Sequence, residues 1–162
     1  MVAIMNEALG LRTGQKVLEV GAGSGWHAAT IAEVVAPSDA PEETWGHVWT
    51  IEIVPELARM AMENVEANGF SSRITVLHGD GSMGYPPEAP YDRIIVTAAA
   101  PQIPEPLIEQ LAIGGVMVIP VGGLSFAQSL VRVRKEPEGI ITEDLGGVVF
   151  VPLTGKYGYE IR

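Results

Sequence analysis

The sequence predicts an α/β fold: a doubly wound, mostly parallel sheet with a β-rich C-terminal edge, carried by one domain over residues 1–162. Three observations predict it. Short, nearly continuous apolar runs alternate with helix-patterned stretches between Lys16 and Val121, as parallel strands covered on both faces require. The first of these runs feeds directly into a turn with glycine at alternate positions, Gly21, Gly23 and Gly25, followed by a helix-forming stretch. Beyond Gly122 and Gly123, apolar and polar residues alternate more, the pattern of a sheet edge with one solvated face.

Taken in order, residues 1–9 read as a helix that is apolar from its first residue, Met1, and has no capping residue ahead of it. Residues 16–20 form the first strand and 26–35 the helix after the glycines. Residues 36–44 make a polar, proline-containing loop that lengthens the first crossover. The second strand covers 47–53, and a helix over 55–68 ends at Gly69, a C-terminal cap. Residues 74–78 are the third strand. Residues 91–97, with the buried run Ile94, Ile95 and Val96, are the fourth. A short helix over 104–111 opens with prolines, which a first turn tolerates, and Gly114 and Gly115 end it. The fifth strand covers 116–121. In the tail, 129–135 and 147–153 read as strands, with turn chemistry at Glu136, Pro137, Glu138 and Gly139 between them. Met5, Met60 and Met62 read as core packing, Trp45 and Trp49 as structural, and Trp26 as a cover for a ligand pocket.

Composition narrows the function classes. With 47% hydrophobic and 19% charged residues the chain is globular and long enough to bury a full core. No apolar run approaches the roughly 20 residues of a membrane span, and no basic-then-apolar leader is read, so no membrane partner and a cytoplasmic location are expected. The absence of cysteine excludes disulfides, thiolate metal sites and cysteine nucleophiles. A net charge of −10 argues against nucleic acid as a partner, and an anionic substrate must be captured by local contacts.

Four stations at predicted strand ends carry the chemistry. Gly21, Ala22, Gly23, Ser24 and Gly25 form a turn on which a ligand can lie directly against backbone. Its G-x-G-x-G spacing departs from the G-x-G-x-x-G of dinucleotide-binding folds and favours S-adenosylmethionine over NAD. Glu52, with Ile53, ends the second strand, where nucleoside-binding α/β folds place an acid to grip both ribose hydroxyls. Asp80 and Gly81 follow the third strand and offer an acceptor to an adenine amino group and an N–H to a ring nitrogen; His78 beside them reads as a core or supporting residue. Thr97 leaves the fourth strand into Ala98, Ala99 and Ala100, whose small side chains leave room for a ligand's reacting end.

Together these residues resemble the protein-L-isoaspartate O-methyltransferase family. The resemblance rests on residues 17–26, His78 to Gly81, Asp92 to Ala98, the Pro-Glu-Pro-Leu stretch from Pro104, Gly114 and Gly115, Ile119 to Gly122, and the Phe-Val-Pro-Leu stretch from Phe150. It covers the chain apart from the loop near 36–47. It implies a Rossmann-like sheet of the S-adenosylmethionine-dependent class and repair by methylation of the α-carboxylate of L-isoaspartyl residues. By the same carry-over the glycine turn holds the methionine end of the cofactor, Glu52 the ribose, and Asp80 with Gly81 the adenine. Ala99, Val151, Pro152 and Leu153 line the groove for isoaspartyl peptides and proteins. A carboxylate acceptor is already ionised and the sulfonium methyl already activated, so neither a strong base nor a metal is expected. No catalytic residue is assigned. The family carries a Ser-x-Pro-His/Tyr-Met segment ahead of the helix matching residues 1–9. A substrate-facing segment upstream of Met1 is therefore expected to be missing, and full activity is in question. Alternatives are a small-molecule methyltransferase of the same fold and a non-catalytic binder of the cofactor. A monomer is expected.

Overall fold

The computed structural model describes residues 1–124 and 127–160. Among these, seven strands form one sheet in the order β3-β2-β1-β4-β5-β6-β7. They are β1 (Lys16–Val20), β2 (His47–Glu52), β3 (Ile74–His78), β4 (Tyr91–Val96), β5 (Leu111–Gly122), β6 (Gln128–Glu136) and β7 (Gly139–Val148). The first five run parallel, and β6 and β7 return antiparallel at one edge. Helices α1 (Val2–Leu9), α2 (Trp26–Val35), α3 (Pro55–Ala67) and α4 (Glu105–Gln110) cover the sheet.

Strict alternation inside the apolar strands sorts the core into two layers. Val17, Ile95 and Val118 face Met5 and Leu9 of α1 and Ala28, Ile31 and Val35 of α2. Leu18, Ile94, Val96, Met117 and Ile119 face the other way, with Tyr91, Leu107 of α4 and Leu111. Leaving β1 the chain crosses to β2 on one side, while β4 lies on the other, so a crevice opens where β1 and β4 end.

Four expectations need correction. The strand β5 begins at Leu111, and Gly114 and Gly115 lie inside it rather than before it. Tyr91 pairs with Leu111 and Arg93 with Val116, so residues 112–115 bulge out of register, with Gly114 at φ 80°. The last strand is Gly139–Val148 rather than 147–153. As the sheet's edge it pairs only with β6 and is largely exposed, so it carries little of the apolar alternation that marks a strand in sequence. Met60 and Met62 are 37% and 43% exposed, because α3 buries the face of Ala58, Ala61 and Val65 instead. His78 is likewise exposed, at the end of β3. Among the described residues no helix is long and apolar enough to cross a membrane.

Candidate active site

The crevice is built by three ties between strand ends. Gly21, the first residue after β1, donates its N–H to Ile51 O of β2 at 2.8 Å. The Thr97 amide donates to Val20 O at 3.0 Å, and its hydroxyl donates to Gly21 O at 2.8 Å, closing β4 onto β1. Only glycine suits position 21, since its φ is 98° and a Cβ there would stand 2.5 Å from Thr97 Oγ1. Glu52, 6% exposed, accepts the Gly23 amide on Oε2 at 3.0 Å and the Val54 amide on Oε1 at 3.1 Å. Each carboxylate oxygen keeps a free acceptor position. Gly81 follows β3 so closely packed that a Cβ would meet Val20 Cγ1 at 2.5 Å.

These groups line a cavity of about 420 Å³. Val20 and Ile51 supply apolar surface; Gly21, Gly23, Glu52, Ile53, Gly81 and Thr97 bring the sequence-predicted positions together. Val151, Pro152 and Leu153 close one side. They are held there as a short parallel extension of the sheet: the Ala99 amide donates to Val151 O and the Leu153 amide to Ala99 O, both at 2.8 Å. Leu153 is buried, whereas Val151 is 70% exposed at the rim. Ala98, expected to leave room for a ligand, lines it as well, whereas sequence reasoning missed Val54, Leu57 and Thr154, which also line the cavity.

Other predicted positions lie elsewhere. Ala22 is buried, and Ala99 is buried behind the rim that its backbone holds. Asp80 is already engaged: Oδ1 accepts the Ser82 amide and hydroxyl within its own loop, and Oδ2 accepts the amide of the distant Lys156 at 2.8 Å. Ser24 and Gly25 face a separate groove between α2 and α3, where Ser24 O accepts from Asn64 Nδ2. Trp26, 68% exposed, lines that same groove and does not cover the cavity, because it opens α2 on the side of α3. Met1 is not among the cavity's lining residues. It is exposed and sits at the N-cap of α1, its carbonyl accepting the Met5 amide at 3.0 Å, while α1 packs on the sheet through Met5 and Leu9.

The sequence also holds a signal that went unread: Glu19, an acid in the middle of an apolar strand. It is fully buried, and Oε1 accepts the Thr50 hydroxyl at 2.6 Å. Oε2 has no hydrogen-bond partner among the described residues. His27 Nδ1 stands 3.9 Å from it, and His27 Nε2 meets Asn6 Oδ1 at 2.8 Å, which links α1, α2 and β1. Burial pushes the Glu19 carboxyl up to about 8, against the opposing Thr50 bond and with help from the Glu52 charge. Burial also pushes His27 down to about 4, reinforced by the N-terminal ammonium. At neutral pH both are mainly uncharged, so their contact is not an ion pair.

Stability should register this buried acid. Between about 4.5 and 8 the folded chain holds the Glu19 proton and the unfolded chain does not, so its contribution is lost as pH rises through that window. Between about 4 and 6.5 His27 acts oppositely, because the unfolded chain binds the extra proton. Above about pH 6.5 Glu19 acts alone. We expect denaturant stability to fall from pH 6.5 to 8, with a slope of up to about 1.4 kcal/mol per pH unit, and Glu19→Gln to flatten it. A flat wild-type profile would contradict the buried carboxyl.

A parallel sheet switching direction beside β1, with a glycine turn after β1, an acid ending β2 and an antiparallel C-terminal edge, defines the S-adenosylmethionine-dependent methyltransferase fold class. Within that class the chain belongs to the protein-L-isoaspartate(D-aspartate) O-methyltransferase family, whose family model matches residues 1–158. It is 58% identical over 160 residues to the protein-L-isoaspartate O-methyltransferase of Hyperthermus butylicus, covering 99% of this chain and 66% of that protein. A solved protein-L-isoaspartate O-methyltransferase superposes with a TM-score of 0.86 at 30% identity, over 97% of this chain and 47% of the other. A putative family enzyme from Plasmodium falciparum, solved in complex with S-adenosyl-L-homocysteine, gives a TM-score of 0.76 at 25% identity, over 94% and 71% of the two chains. The chain therefore spans 66% of the length of the Hyperthermus relative and about half that of the first solved structure.

Proposed function

We propose that this chain binds S-adenosylmethionine in the strand-end cavity and methylates the α-carboxylate of L-isoaspartyl residues in damaged proteins, a repair reaction. The observation that carries the reading is the junction of the cavity with the Val151–Leu153 rim, which sets a nucleoside-sized hollow against a surface for extended peptide. The residues fit the cofactor. Glu52 keeps one acceptor position on each oxygen for the ribose hydroxyls. Gly81 lies close enough to the strands for its N–H to serve an adenine nitrogen, and Asp80 Oδ2 retains one position for the amino group. The Gly21 to Gly23 turn takes the methionine end.

When bound, the cofactor supplies a sulfonium methyl group that needs no further activation. The chain's own contribution is placement and dryness. The Thr97 hydroxyl and the Gly21 amide fix the turn between three strands, so the cavity wall is set before any ligand arrives. Val20, Ile51, Ala98 and Leu153 keep water away from the acceptor carboxylate, which lowers the cost of neutralising its charge. No side chain has to take a proton, because an isoaspartyl α-carboxylate is ionised at neutral pH. The exposed Val151 and its exposed neighbour Pro152 receive the peptide, on a rim that the buried Ala99 holds from behind through its backbone. The reading also takes the chain as a single domain and a cytoplasmic monomer. It assigns no nucleic-acid partner to a chain of net charge −10.

The test is methyl transfer from labelled S-adenosylmethionine to an isoaspartyl peptide and to the same peptide with a normal aspartyl linkage. Label is expected on the first only. Cofactor binding without any label on the isoaspartyl peptide would overturn the transferase assignment.

A further inference from the structure

At the opposite end of the sheet from the cavity, four of the ten Lys and Arg residues of this acidic chain meet on one groove of about 320 Å³: Arg12, Arg93, Arg132 and Arg134. Strand register builds it. Arg93 of β4 pairs with Val116 of β5, which pairs with Arg134 of β6, so the three lie in one row on one sheet face. Arg132 lies two residues from Arg134 and so shares its face. Two strand spacings, roughly 10 Å, separate the backbones of Arg93 and Arg134, with only the short Val116 side chain between them. The C-terminal end of α1 closes the groove and brings Arg12 to it.

Holding the helix end accounts for part of this charge. Arg93 Nε donates to Leu9 O at 2.6 Å and Nη2 to Gly10 O at 3.2 Å, which fastens α1 to the sheet. Exposed acids account for another part, since Arg132 pairs with Glu143 and Arg134 reaches Glu136 at 3.6 Å. Neither accounts for Arg12, which has no ion pair among the described residues. Glu7 is the one acid among the described residues that lines the groove. Arg93 has each nitrogen on a backbone carbonyl and contributes charge alone, while Arg12 and the remaining nitrogens of Arg132 and Arg134 can donate to the tetrahedral oxygens of phosphate. The groove's volume suits a small molecule rather than a folded partner.

We infer that this groove is a binding site for a small multivalent oxyanion of the diphosphate class, distinct from the strand-end cavity and independent of the methyl-transfer reading. Titrating pyrophosphate into the chain at low ionic strength should give saturable one-to-one binding by calorimetry. The double variant Arg12→Gln/Arg134→Gln should weaken it at least about tenfold, because two of the groove's guanidinium groups are lost. Arg12→Gln alone, which breaks no side-chain hydrogen bond or ion pair among the described residues, should weaken it about threefold and decides the matter if the double variant fails to fold. Binding of S-adenosylhomocysteine should be the same in wild type and variants, which separates this site from the cavity. No saturable heat with pyrophosphate, or an unchanged Kd in the folded variants, would overturn the inference.

Discussion

Gly21→Ala is expected to lower the melting temperature by roughly 4–24 °C and to weaken S-adenosylhomocysteine binding by at least about thirtyfold. Two costs arise at one atom. An L side chain at φ 98° is strained by about 1–3 kcal/mol, and its Cβ would stand 2.5 Å from Thr97 Oγ1. Relief of that overlap costs about 1–3 kcal/mol more, because Thr97 must release Gly21 O or the strand end must shift. In a chain of this size each kcal/mol corresponds to roughly 2–4 °C, which gives the stated range. Affinity suffers because the turn joins β1, β2 and β4, so its movement displaces the cavity wall. The double variant Gly21→Ala/Thr97→Ala should recover the overlap but not the dihedral strain. Thermal unfolding and calorimetry on the two variants separate the contributions. Wild-type affinity in Gly21→Ala would remove the turn from the binding surface.

Glu52→Ala should act more on binding than on folding. It strands the amides of Gly23 and Val54 that the carboxylate now holds, and it deletes the two acceptor positions facing the cavity. Leaving buried polar groups unpaired costs about 1–3 kcal/mol, so the Kd for S-adenosylhomocysteine should rise by roughly 5- to 150-fold. Glu52→Gln keeps one carbonyl oxygen and should fall between wild type and alanine. Unchanged affinity in Glu52→Ala, measured by calorimetry on folded protein, would take Glu52 out of the ribose role.

The strands that build the cavity were the legible part of this sequence, and for one reason. β1, β2 and β4 are inside the sheet and parallel, so burial on both faces writes each around a short apolar run. Their C-terminal ends then mark where a ligand can lie, and that is where Gly21, Glu52, Gly81 and Thr97 meet. What stayed illegible depends on contacts distant in sequence. The bulge of residues 112–115 exists only because β5 must keep register with β4 on both sides of it. β7 is an edge strand with Ile140 and Ile141 partly exposed, so its composition resembles a loop. Trp26 follows the glycines in sequence, yet the left-handed Gly25 starts α2 so that the indole lies over α3. Asp80 is bound by the Lys156 amide, a partner that no local pattern could name. Glu19 was visible as an anomaly, but its meaning rests on Thr50 across the sheet and His27 above it.

The central claim is that the ends of β1, β2, β3 and β4 form a single hollow shaped for adenosine and its methionine arm. Calorimetric titration of S-adenosylhomocysteine into the chain, with folding verified by circular dichroism, tests it most directly. The account predicts saturable one-to-one binding that S-adenosylmethionine displaces and Glu52→Ala weakens. A folded chain that takes up neither ligand would contradict it.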